Sequence, residues 1–268
     1  MIPMKTDQHI HTPYCPHGSK DLFERYIEQA IKQGFQMISF TEHAPLPPSF
    51  VDPTPDQDSG MKLEHLEGYI HIIQQLKESF KKDIRVNVGF EVDFIEGFEE
   101  ETKAFLDTYG HEIDDSILSV HFLQNNGTYY CMDYSSDVFS DMINVFGGVE
   151  NVYKAYYDTV YRSVLSSLGA YKPKRIGHMT LVHKFQKAFP CQNEFTYETN
   201  RILDLIQKQN MQLDYNGAGL YKPLCEEPYP ADAVVKEAKK RNIPLIYGSD
   251  AHTAKDVGQG YSYLEPML

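Results

Sequence analysis

Asp7-Gln8-His9-Ile10-His11-Thr12 closes the first apolar run of the chain, and its spacing sets how the rest is read. On a strand, successive side chains point to opposite faces, so His9 and His11, two apart, can turn both imidazoles toward one point. That is how a strand chelates a metal. Gly248-Ser249-Asp250-Ala251-His252, near the other end of the chain, repeats the arrangement as Asp-x-His.

Outward from this pair, short apolar runs alternate with amphipathic segments. Strands are expected over 5–10, 37–41, 85–94, 116–123, 175–181, 211–215 and 243–248. Helical spacing of Leu22, Phe23, Tyr26, Ile27, Ala30 and Ile31 predicts a first helix, capped by Ser19 and stopped at Gly34. Further helices are expected over 61–80, 98–109, 149–168, 194–209 and 231–241. Two stretches break the pattern and are expected to be lids: 44–60, which holds five prolines, and 124–148, which is polar but rich in aromatic residues. Seven strands alternating with helices, with no compositional break, make one α/β domain over 1–268, either a parallel barrel or a doubly wound sheet.

The candidate ligands follow the strands. Of eleven histidines, His9, His11, His17, His43, His121, His178 and His252 fall at or just beyond the C-terminal end of an expected strand, as do Glu91 and Asp250. In a parallel barrel those ends gather on one face, where barrel enzymes build their sites. His65, His71 and His111 fall outside the pattern and are expected on the surface; His183 is left unassigned. Nine nitrogen and oxygen donors exceed what one ion accepts, so two to three divalent ions are implied. Imidazole and carboxylate suit zinc, iron or manganese without choosing among them. A carboxylate such as Glu91 can bridge two ions, about 3.5–4 Å apart in two-metal hydrolytic sites.

Composition excludes several classes. With 25 basic and 38 acidic residues the net charge is −13, which argues against a polynucleotide partner and for a small phosphorylated metabolite. Hydrophobic residues at 41% and charged residues at 24% are ordinary for a globular chain. No apolar run reaches the roughly 18–20 residues that span a bilayer, and 1–12 holds no apolar signal core, so neither membrane nor export is expected. The four scattered cysteines, Cys15, Cys131, Cys191 and Cys225, suit free thiols in the cytoplasm.

His9-x-His11, Thr41-Glu42-His43, Gly89-x-Glu91, Ser119-Val120-His121, Gly177-His178 and Ser249-Asp250-Ala251-His252 occur in the order seen in the polymerase and histidinol phosphatase (PHP) family, which the chain resembles from residue 5 to about 252. Within that family, His17 after Pro13-Tyr14-Cys15-Pro16, Gly177-His178-Met179-Thr180-Leu181 and Asn216-Gly217-Ala218-Gly219-Leu220 look like the histidinol-phosphate phosphatases. The resemblance implies a distorted seven-stranded (β/α)7 barrel, TIM-barrel-like, and a trinuclear site. Carried over, one metal would take His9, His11, Glu91 and Asp250; a second Glu91, His121 and His178; a third His17, His43 and His252. Many members have Asp where this chain has Glu42, which would orient a ligand imidazole.

The implied reaction is hydrolysis of L-histidinol phosphate to L-histidinol and phosphate, a step of histidine biosynthesis, by attack of a metal-bridging hydroxide. Asp250, His252 or a metal-bound water would protonate the leaving alkoxide. Lys222 resembles a position that is basic in the phosphatases. Arg162, four residues after Asp158 on a helix, would pair with it at the surface or else hold phosphate. The Tyr- and Asp-rich stretch 129–141 is a partner for the amino and imidazole end. Two other classes compete: a family phosphoesterase or nuclease acting on nucleotides, and a metal-binding scaffold without activity, which the complete ligand set disfavours.

Overall fold

The computed structural model describes residues 4–268; residues 1–3, part of the stretch expected to lack a signal core, lie outside them. Thr6–Ile10 forms β1, Met37–His43 β2, Arg85–Asp93 β3 and Asp115–Ser119 β4. A hairpin of β5 (Phe122–Asn125) and β6 (Thr128–Cys131) interrupts the series, which resumes with β7 (Arg175–Ile176), β8 (Gln212–Asn216) and β9 (Leu245–Gly248). The seven long-range strands pair in parallel in the order β1-β2-β3-β4-β7-β8-β9. Past β9 the sheet turns back onto β1: His11 N donates to Ala251 O at 3.0 Å, and Asp250 N to His9 O at 2.7 Å. The sheet is therefore a nearly closed barrel in a single domain, not a doubly wound sheet.

Helices α1 (Phe23–Lys32), α2 (Leu66–Phe80), α3 (Glu99–Tyr109), α4 (Ser136–Phe146), α5 (Val149–Leu165), α6 (Thr196–Lys208), α7 (Asp232–Lys240) and the short α8 (Tyr261–Leu264) complete the domain. Their apolar stripes face the strands, as Phe23, Tyr26, Ile27 and Ala30 of α1 show by being buried at the expected helical spacing. Each such side chain contributes about 1.5–3 kcal/mol by leaving water. Arg175 of β7 is buried and reaches β1, donating to Gln8 O at 2.8 Å as well as to Asp115 Oδ2 at 2.9 Å.

Register positions the mouth. His43 lies opposite Glu91, Asp93 opposite Ser119 and Asn216 opposite Gly248, so the ligand-bearing ends arrive level. Two glycines keep that end open. A Cβ on Gly177 would fall 2.1 Å from Ser119 Oγ, and one on Gly248 would fall 2.4 Å from His9 Cβ.

Three expectations need correction. Ser19 does not cap α1; the cap position is Leu22 without a side-chain bond, and Ser19 Oγ instead donates to Asp21 Oδ2 at 2.8 Å. The strands expected over 116–123 and 175–181 are shorter. The first stops at Ser119, and beyond β7 the chain coils into a 3-10 turn, Leu181–Phe185. The stretch 124–148, expected to be a lid without regular structure, carries most of the hairpin and all of α4. Asn126-Gly127 reverses it with positive φ at both residues (52° and 83°), and Ser135 Oγ caps α4 by accepting from Val138 N. The stretch 44–60 holds neither helix nor strand. Phe50 anchors it on the hairpin side by edge-to-face contacts with Phe98, Phe122 and Tyr129, centroids 4.9–5.3 Å apart.

Candidate metal centre

The alternation of β1 turns His9 and His11 into the barrel mouth, both wholly buried, with ring centroids 5.4 Å apart. Each ring is fixed from behind by a carboxylate. His9 Nδ1 donates to Asp214 Oδ2 at 2.9 Å, and His11 Nδ1 to Glu42 Oε1 at 3.1 Å. Across the mouth, His121 Nδ1 donates to Asp93 Oδ1 at 2.7 Å. A carboxylate behind an imidazole sets its tautomer and raises its basicity, which is what a metal ligand needs. Glu42 also accepts from the backbone N–H groups of Thr12 and His43, and it does not reach the cavity. Its place behind the His11 ring is that of a group that orients an imidazole.

With Nδ1 committed, the opposite nitrogens converge on two carboxylates. Glu91 lies 3.3 Å from His9 Nε2, 3.5 Å from His11 Nε2, 3.3 Å from His43 Nδ1, 2.8 Å from His178 Nε2 and 3.8 Å from His121 Nε2. Ser119 Oγ, in the space that Gly177 leaves, donates to Glu91 Oε1 at 2.6 Å. Asp250 Oδ1 is 3.0 Å from His11 Nε2. Asp250 has φ +54°, a left-handed backbone that Asp tolerates, at the point where β9 ends. Asn216 Nδ2 holds its second oxygen at 3.1 Å.

The charges show what these atoms are suited to hold. Burial disfavours the charged form of His9, yet Asp214, Glu91 and Asp250 outweigh it and hold the imidazole well above its usual range. His11 and His121, opposed by burial but facing carboxylates, are pushed up to about 9 and about 10. Burial favours the neutral forms of Glu91 and Asp250, but the surrounding imidazoles hold both well below the carboxylate range. Burial, together with the neighbouring His11, pushes His43 and His252 well below the imidazole range. His9 Nε2 and His43 Nδ1 are buried without a hydrogen-bond partner. An imidazole nitrogen facing a carboxylate needs a proton or a metal cation between the two lone pairs. The donor set therefore fits divalent cations.

Among the described residues, four groups of donor atoms lie within mutual ligand reach: His9, His11 and Asp250; Glu91, His121 and His178; His11, Cys15, His43 and His252; and His43, Asp93 and His121. The second holds the residues expected together, and the first does so apart from Glu91. The third differs, because the buried thiol of Cys15 stands with His43 and His252. His17 lies at the rim, 39% exposed, its ring 5.1 Å from His252 and 5.2 Å from His43, with Nδ1 donating to Asp58 O at 3.1 Å.

Above the donors opens a cavity of about 380 Å³. Lys222 lines it, and so does Lys184, whose Nζ donates to Asp133 O at 2.6 Å and Asp133 Oδ2 at 2.9 Å. Burial opposes charge on both members of this pair, but their mutual attraction holds Asp133 well below the carboxylate range and Lys184 above the amine range. Arg162 is elsewhere: exposed on α5, its guanidinium pairs with Glu96, while Asp158 is taken by Lys154 at 2.7 Å. His183 also turns away, its ring between Tyr157 Oη at 3.1 Å and Glu227. Lys184, Asp93, Asp214 and Cys15 are the residues the sequence reasoning missed. Asp93 carried a signal, standing two residues after Glu91 on one strand.

The PHP domain model matches residues 7–218, and the PHP-associated model matches 232–266. A histidinol-phosphatase of Bacillus subtilis is 50% identical over 264 residues, covering 97% of this chain and 98% of its own. The crystal structure of hisK from Listeria monocytogenes superposes with a TM-score of 0.93 at 37% identity, covering 97% of this chain and 99% of that one. A histidinol phosphate phosphatase of Lactococcus lactis, solved with Zn, L-histidinol and phosphate, shares the fold at a TM-score of 0.73 and 20% identity, covering 98% of this chain and 94% of its own.

Proposed function

The chain belongs to the PHP domain family, and from that premise we propose that it is a metal-dependent phosphomonoesterase cleaving L-histidinol phosphate to L-histidinol and phosphate. One observation carries the reading: imidazoles, carboxylates and two lysines meet in a single cavity, in a chain half identical to a histidinol-phosphatase over nearly its whole length. The cavity is of a size for a small metabolite. It falls at the C-terminal mouth of the barrel, where barrel enzymes carry their chemistry.

His9, His11, Glu91 and Asp250 would hold one ion, Glu91, His121 and His178 a second, and His43 and His252 with His17 or Cys15 a third, of zinc, iron or manganese. Bound divalent ions supply Lewis acidity toward phosphoryl oxygen and make water a nucleophile at neutral pH. The protein's own residues do the rest. Asp214, Glu42 and Asp93 keep three ligand rings in the donor tautomer. Lys184, braced by Asp133, and Lys222 hold the phosphate as fixed positive charges, a role proposed for Lys184 in place of Arg162. The ester P–O bond breaks as a water oxygen bonds phosphorus; Asp250 or His252, both on the cavity wall, would accept the proton that the water sheds and pass it to the departing alkoxide.

Phosphate release by the metal-loaded protein from L-histidinol phosphate, a nucleoside monophosphate and single-stranded DNA tests the reading. Release from histidinol phosphate should exceed the others by at least about tenfold, as expected when a site pairs a substrate's polar groups. Comparable rates would leave a generic phosphoesterase.

A further inference from the structure

Four carboxylates line the cavity, and three are already engaged. Glu91 and Asp250 belong to the donor set, and Asp133 is neutralised by Lys184. Asp58 has no lysine or arginine partner, and its nearest basic atom is His17 Nδ1, 4.0 Å from Oδ2. Its side chain is only 24% exposed, so its charge faces a cavity wall rather than bulk water. The stretch 129–141, expected to receive the cationic end of the substrate, puts Asp133 at the cavity, but that charge is spent on Lys184.

The loop that carries Asp58 is built beforehand. The buried carboxylate of Asp52 accepts from Thr54 N and Oγ1, each at 2.9 Å, and from Ser59 N and Oγ at 3.0 and 3.1 Å, closing the loop on itself. Gln57 turns the chain with φ +49°. Tyr134 Oη, from the segment after the hairpin, donates to Asp56 Oδ2 at 3.3 Å and ties the two walls together. A charge held on such a loop loses little freedom when it binds.

Asp58, Ser59 and Tyr134 line the same cavity as the two lysines and the metal donors, Asp58 lying at the rim beside His17, whose Nδ1 donates to its carbonyl at 3.1 Å. We infer that Asp58 is a specificity residue that binds the ammonium group of the substrate's alcohol, so that the site selects phosphate monoesters bearing a cation close to the ester. This rests on the functional reading above. A phosphate fixed on the metal side leaves the alcohol directed toward the remaining wall, and in histidinol phosphate the amine sits on the carbon next to the ester CH₂. Asp58 would pair with it through a charge-assisted hydrogen bond, and Asp52 would act as the residue that positions Asp58.

The test compares kcat/KM for L-histidinol phosphate with that for 3-(imidazol-4-yl)propyl phosphate, the same ester without the amine. The wild-type ratio is expected to be about 10–100, the range a charge-assisted bond supports, and in Asp58→Asn it should fall to near one. Metals per chain and thermal unfolding, measured alongside, separate a lost charge from a lost loop. Should Asp58→Asn fail to fold, Asp58→Glu, which keeps the charge at another reach, should give a ratio between the two. A ratio in Asp58→Asn as high as in wild type, or a wild-type ratio near one, overturns the assignment of Asp58. Absence of any wild-type hydrolysis of histidinol phosphate overturns the functional reading instead.

Discussion

The two sides of the metal centre use the same side chain in opposite ways. His9, His11 and His121 each donate a hydrogen bond to a buried carboxylate, whereas among the described residues His252 Nδ1 hydrogen-bonds the Asp250 carbonyl at 3.1 Å, His17 Nδ1 the Asp58 carbonyl, and His43 Nδ1 has no hydrogen-bond partner. A carboxylate both orients an imidazole and enriches its lone pair; a carbonyl only orients it. Protonation is favoured at His9, His11 and His121, which face carboxylates, and disfavoured at His43 and His252, where burial and the neighbouring His11 oppose it. Exposure follows as well, from 0% at His9 to 39% at His17. On the proposed reading, donor strength would be graded across the mouth, with firm positions in the barrel and a looser one at its rim.

The sharpest way to break the comparison is to remove the group both firm positions share. Glu91→Ala should lose metal at two positions and lower turnover by about 10³-fold or more, since Glu91 also offsets repulsion between dications. Metals per chain and kcat decide it; a full metal complement would refute the shared role. A smaller effect is expected behind the rings. Asp214→Asn and Asp93→Asn should weaken metal binding by about 10–100-fold, read by competition with a chelator, whereas a metal affinity equal to wild type would mean that the backing carboxylates matter no more than carbonyls. The smallest effects belong at the rim. His17→Ala should release at most one ion per chain and cost less turnover than Glu91→Ala, while His65→Ala, outside the mouth, should change neither; metal loss from His65→Ala would break the strand-end rule.

Much of this centre was legible because it depends on periodicity. The two-residue spacing of His9 and His11, and the placing of His43, Glu91, His121, His178 and Asp250 at strand ends, follow from alternation and parallel pairing alone. The hairpin was missed although Asn126-Gly127 announces it, because the apolar run 116–123 continues across the end of β4 into β5 without a break in composition. Lys184 was illegible for another reason. It follows a strand of only two paired residues and faces the cavity through an irregular 3-10 turn, where no period fixes direction. For Arg162, helix spacing pointed to a surface ion pair but not to the loop that lies over that face, and here the loop offers Glu96 in place of Asp158. Backing carboxylates such as Asp214 are hard to tell from ligands, since both end strands and both are acidic.

The seam of the barrel has a consequence for synthesis. His11 and Asp250, 3.0 Å apart in the finished mouth, are separated by 239 positions. At about 5–20 residues per second, the ribosome needs roughly 12–48 s to travel from one to the other. The proposed donor set of His9, His11, Glu91 and Asp250 is therefore assembled only after β9 has been made, and the half of it on β1 waits for the strand that closes the barrel.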